Sequence, residues 1–220
     1  MDSTTDILRL ELFPAVWETT IMVAIATGAS LVFGLLIGLV LYLTASPLFF
    51  PNRFLNTVMG VVVNIIRSVP FVILLVLLIP VTDLIVGTTI GPIAASVPLA
   101  FASVAFFARL VEGAFSEVDK GVLEAAIATG AGLGLILRKV LFVEAMPGLI
   151  RATTVTVISL IGYSAMAGLV GGGGIGDLAI QYGYYRYETG VMIATVLLLI
   201  VIVQGAQFIG DWLARRFTRR

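Results

Sequence analysis

Cysteine and histidine are both absent from the 220 residues. Without cysteine there are no disulfides, thiolate metal sites or cysteine nucleophiles, and the redox compartment cannot be read. Without histidine there is no imidazole to act as base, metal ligand or proton relay, which weakens most hydrolase and metalloenzyme readings. Charge is scarce: 12% of residues are Asp, Glu, Lys or Arg, against roughly a quarter in a soluble domain. The 13 basic residues balance the 13 acidic ones, so nothing biases the chain toward nucleic acid. What fills the sequence is apolar: 60% hydrophobic residues and a mean hydropathy of +1.12.

A helix needs about 20 mostly apolar residues to cross a bilayer core. Charge-free stretches of that order cover residues 19–52, 84–108, 152–176 and 189–210, and residues 54–82 are interrupted only by Arg67. These predict five transmembrane helices, at about 17–43, 57–80, 90–111, 150–171 and 190–213, because lipid offers no partner for open backbone groups. Ser46-Pro47 and Pro51-Asn52 are expected to end the first span and Pro80 the second; Gly91-Pro92 should begin the third, and Gly171–Gly174 should break the chain after the fourth. The start of the chain is not expected to be a cleavable signal, since residues 1–11 carry three acids against Arg9. No internal repeat is visible, and an odd span count argues against a simple inverted-repeat transporter.

With five spans, one side receives Arg53, Arg109, Lys120, Arg138, Lys139, Arg151, Arg215, Arg216, Arg219 and Arg220; the other receives Arg9 and Arg186. That asymmetry predicts a cytoplasmic C-terminus and an N-terminus outside. The expected architecture is an all-α polytopic membrane protein in which residues 1–220 form a single domain, with a cytoplasmic loop over 112–149.

Residues 109–151 are the one sizeable polar island. Leu123, Ala126, Ile127, Gly130, Leu133, Leu137, Val140 and Leu141 recur at three- and four-residue steps, the period of a helix face. Glycines 130, 132 and 134 interrupt the pattern and predict two short helices with a turn between them. The island could simply cover the span ends, or it could be a docking surface. No ATP site is present, since a phosphate loop needs Gly-Lys and Asp119 precedes Lys120 and Arg138 precedes Lys139.

Glu124-Ala125-Ala126, then Gly130, then Val140-Leu141-Phe142 resembles the cytoplasmic EAA loop of ATP-binding-cassette importer permeases. Val143 departs from it where a proline usually stands; Pro147 follows four residues later. Asn64–Phe71, Gly162–Gly168 and Gly173–Ala179 with Tyr182-Gly183-Tyr184 look like the methionine-importer branch. The resemblance covers about residues 16–213. It implies a short coupling helix around Glu124 between spans three and four that docks on a separate ATPase subunit through Glu124, Ala125, Ala126, Gly130, Val140 and Phe142. It also implies a fourth span lining the path at a dimer interface and an extracytoplasmic substrate-binding (lipo)protein that delivers cargo. The chain itself is then not an enzyme and holds no cofactor or metal. Because five helices leave little room to enclose an amino acid, two copies should pair about a two-fold axis, in a cell inner membrane.

Among intramembrane residues, Arg67 would cost about 2.5–3.5 kcal/mol at a helix centre. Either it snorkels to the cytoplasmic interface past a Pro70 kink, or it lines the inner vestibule or ties the second span to the coupling loop. Tyr163, Ser164 and Met166 are either ordinary packing residues or part of the translocation path, with Met166 suited to a gate. Ser30, Gly34 and Gly38 read as a helix-packing stripe. Asp83, Asp177 and Glu188 read as solvated outer charges, on loops that in an importer would meet the substrate-binding protein, and the terminal arginines as an anchor to membrane lipid.

Competing classes fare worse. A secondary transporter needs carboxylates inside its spans, and none of the five apolar cores has one. A lipid-phase enzyme lacks a nucleophile or base, and a scaffold would bring no ATPase with it. A permease for another small amino acid or organic solute is the alternative within the same class.

Overall fold

The computed structural model describes residues 3–218, so the anchor arginines 219 and 220 lie outside the described residues. Among the described residues there are helices and turns but no strand. Four helices are long and apolar enough to cross a membrane, and a fifth span exists if one bent pair counts as a unit.

Helix α1 (Ser3–Ala29) continues through a π turn at Ser30–Gly34 into α2 (Leu35–Ala45). As one unit it runs Thr4–Ala45, 42 residues, or roughly 63 Å at 1.5 Å per residue. It starts well before the expected residue 17 because Ile7, Leu8 and Leu12 pack on Ala15, Ile175, Leu178 and Val191. Tertiary packing, not bilayer thickness, sets that end.

Expected as one helix, the second span is in fact broken. Helix α3 (Arg53–Ser68) begins where the Asn52 side chain accepts from Leu55 N at 3.0 Å, an N-cap. It stops before Pro70, which drives Val69 into extended backbone, φ −81° and ψ 126°. Helix α4 (Phe71–Leu77) leaves at 103° to α3. Pro80 lies in the first turn of a further helix, α5 (Ile79–Val86), a position where the missing N–H costs nothing.

Helix α6 (Pro92–Ser116) begins at Gly91-Pro92 as expected and is the central pillar. Leu99, Phe107, Ala108, Val111 and Phe115 on it are buried. The Ser30–Gly34–Gly38 stripe lies against it: Ser30 Oγ donates to Ser103 Oγ at 2.6 Å. A Cβ on Gly38 would meet the Ala108 carbonyl oxygen at 2.6 Å and Val111 at 2.7 Å. Helix α7 (Lys120–Ala128) follows, then α8 (Leu133–Ile136), a π turn (Leu137–Leu141) and α9 (Phe142–Ala167). The second short helix expected in the island is therefore no separate piece. It is the start of a continuous 38-residue helix, Leu133–Val170.

A short α10 (Gly174–Leu178) and a π turn (Ala179–Tyr184) lead to α11 (Thr189–Thr218). Helix α11 is peripheral and leaves Leu197, Val201 and Phe208 exposed, as befits a lipid-facing helix. Gly210 on it admits Thr154 of α9.

The glycine stripe makes a checkable claim. Gly38→Leu should destabilise the helix pair by about 1–3 kcal/mol through overpacking, read as a lower thermal midpoint in detergent. Gly28→Ala, at a site with open space, should not. A Gly38→Leu protein as stable as the parent would remove the stripe from the packing.

Candidate functional site: a coupling helix and an open helix face

At one end of the bundle, α7 is rooted in the membrane helices. Leu123 is fully buried in a cluster with Tyr42, Phe107, Phe115, Ile136 and Leu141, drawing together α2, α6, α8 and the turn before α9. Burying one such leucine contributes about 1.5–3 kcal/mol. Asp119 caps the helix, its Oδ1 accepting from Val122 N at 3.2 Å. Gly130 ends it with φ +78°, a left-handed backbone that favours glycine.

Glu124 and Ala125 point away from this root and are exposed, while Ala126 is half-buried. The outward side thus presents Glu124 with Gly121, Ala125 and Ala128, together with Lys120, Val122 and Ile127. Val140 and Phe142 do not share that face. They pack inward on the same cluster, with Phe142 set edge-on to Phe115 at 5.1 Å between ring centroids. Their part is to brace α7 from beneath. Val143 is exposed and Pro147 lies inside α9, so the helix runs straight through the off-pattern loop exit.

Helix α9 carries the other predicted residues. Val155, Gly162 and Met166 form an exposed stripe at helical spacing, with Met166 at 42% exposure. Tyr163 sits beside this stripe, its ring stacked on Phe71 of α4 at 4.8 Å. The break in the second span therefore lies against the open stripe. Arg67, in the last turn of α3, is exposed next to that break. Ser164 is off the stripe: it is 2% exposed and its hydroxyl donates to Ile161 O at 2.8 Å. Phe142 and Met166 are 24 residues apart on one helix, roughly 36 Å at 1.5 Å per residue.

Three residues outside the expected set also matter. Glu18 of α1 accepts from Gly174 N at 2.7 Å, and Thr19 Oγ1 accepts from Ile175 N at 2.9 Å. This pair holds the glycine loop at the far end of α9, where Gly171, Gly173 and Gly174 all have positive φ. The clue was present: a run of free glycine N–H groups needs an acceptor, and Glu18 is an acid at a span edge. Arg109, counted in the sequence only for its sign, joins two helices. Its Nη2 donates to Gly60 O of α3 at 3.0 Å, and its Nη1 pairs with Glu112 at 2.6 Å.

This arrangement matches proteins of known class. The sequence pattern of the family described as "Binding-protein-dependent transport system inner membrane component" matches residues 30–219. The probable D-methionine transport system permease protein MetI of Vibrio cholerae is 50% identical over 209 residues, covering 95% of this chain and 93% of its own. The methionine import system permease protein MetP of Bacillus subtilis is 45% identical over 180 residues, 82% of this chain and 81% of its own. A solved structure of the MetNI methionine ABC transporter in an inward-facing conformation superposes with a TM-score of 0.92 at 46% identity, covering 94% of this chain and 96% of that one. The match over residues 30–219 and these identities show that the chain belongs to the family of binding-protein-dependent transport system inner membrane components.

Proposed function

We propose that the chain is the permease subunit of an ATP-driven methionine importer, taking the D- or L-form, and that two copies pair about a two-fold axis with the cargo path between them. The observation that carries this reading is the coupling helix: α7 exposes Glu124 and Ala125 while Leu123 fixes it to the membrane helices. Two ATPase subunits receive one α7 each. Their closure on ATP moves α7, and the cluster around Phe115 passes the movement to α9. That helix is unbroken from Leu133 to Val170, so a displacement at its root reaches Met166 as rigid-body motion.

The exposed stripe Val155–Gly162–Met166 then faces its counterpart in the second copy. Met166, flexible and apolar, closes the path without ordering water. An extracytoplasmic binding protein delivers cargo at the glycine-loop end. Methionine as the cargo is supported by the names of the relatives and by the solved transporter that this fold matches.

The positive-inside count places α7 and the end of α11 in the cytoplasm. Arg216 lies over the Trp212 ring at 5.5 Å, a pairing suited to the membrane–water boundary.

Two outcomes test this. In vesicles holding the assembled complex, Glu124→Arg should cut ATP-dependent uptake of labelled methionine by about tenfold or more, the loss of one charged hydrogen-bonding partner, with the chain still inserted. Uptake at the parent rate would remove α7 from docking. A reporter fused at the N-terminus should read as extracytoplasmic and one at the C-terminus as cytoplasmic; the reverse would overturn the orientation.

A further inference from the structure

Beside the end of α9 farthest from α7 lies a cavity of about 430 Å³, within the roughly 300–1,000 Å³ range of small-molecule sites. Its walls include Leu169 and Gly168 from the end of α9, Asp177 from α10, and Gln181, Tyr185 and Arg186 from the segment that follows. One acid and one base thus face a single space within a few residues of Met166.

Packing holds Asp177, and an aromatic ring orients the exposed Arg186. Gly168 has no side chain where Asp177 sits: a Cβ there would meet Asp177 Cα at 2.8 Å and Cβ at 2.9 Å. That contact holds the aspartate hard against the tip of α9. Its two carboxylate oxygens accept from Gln181 Nε2 at 2.9 and 2.8 Å. Each oxygen has a second lone pair for another donor. Arg186 lies with its guanidinium over the Tyr182 ring, 4.5 Å from the centroid. A guanidinium held over an aromatic ring can still present N–H donors to a carboxylate.

Building on the importer reading above, we propose that this cavity is a transit site for the zwitterionic head of a free amino acid, with Asp177 taking the ammonium and Arg186 the carboxylate. Tyr185 and Leu169 flank the side chain, so the site reads the head group that amino acids share and discriminates weakly among side chains. Cargo released from the binding protein pauses here before passing Met166. Asp177 and Arg186 are then binding residues, and Asp177 is not the solvated outer charge that its sequence position suggests. A zwitterionic lipid head group has similar chemistry, and the position beside the α9 stripe favours the free amino acid.

Saturation-transfer NMR on the purified permease–ATPase complex, without binding protein, tests the site with methionine as the probe. Methionine should receive transfer. N-acetylmethionine and methionine methyl ester, each lacking one charge, should bind at least about tenfold more weakly, as should methionine to Asp177→Asn or Arg186→Gln, since each change removes one charge-assisted bond. Arg186→Lys should recover part of the loss. The analogue arm needs no variant, so a variant that fails to assemble does not block the test. Absence of transfer, analogues that bind as well as methionine, or variants unchanged in affinity would overturn the proposal. So would phosphoethanolamine binding more tightly than methionine, which would assign the cavity to lipid. Uptake with the binding protein separates the two claims: uptake without transfer sinks the cavity alone, while transfer from a different amino acid and no methionine uptake sinks only the cargo.

Discussion

The cluster that buries Leu123 with Phe115, Phe107 and Leu141 is the joint on which the rest of the structure depends. A nine-residue helix is too short to be stable alone in water. Here it is held by one fully buried leucine, capped by Asp119 and stopped by Gly130. Residues of α2, α6 and α9 meet α7 at the same cluster. Packed interiors transmit displacement instead of absorbing it, which is the physical basis for the lever role proposed for α7.

The opposite end is built differently. There the chain turns through glycines with positive φ that Glu18 and Thr19 of α1 hold by hydrogen bonds, beside an apolar cluster in which Ile175 and Leu178 of α10 pack with Ala15 and Val191. Helix α9 is the rod between these two ends. The broken second span meets that rod where Phe71 stacks on Tyr163, and irregular backbone at membrane depth is tolerated where it is covered by protein or lines a cavity.

Much of this was legible in the residues. Charge-free runs located the helices, Gly91-Pro92 marked the start of α6, and the Ser30–Gly34–Gly38 stripe identified a packing face. The rest depended on contacts between distant parts of the chain. Nothing local tells that α1 begins at Ser3, because its first turns are stabilised by α10 and α11. Pro80 reads as a stop, yet proline is equally at home in a first turn, and only the fold decides. Ser164 sits between two path candidates in sequence, but helical geometry turns it inward. Glu18, Arg109 and Asp177 looked like ordinary charges because the carbonyls, amides and cavity they serve lie up to 156 residues away.

The central claim is that movement at α7 changes the separation of the two α9 stripes at Met166. Since the chain has no native cysteine, Met166→Cys yields one spin label per copy, and pulsed electron resonance on the assembled complex reads the label-to-label distance. The account predicts a distance distribution that shifts on ATP binding in the parent background and stays at its nucleotide-free value when Glu124→Arg is added. An identical distribution in every nucleotide state, or a shift that survives Glu124→Arg, would contradict it.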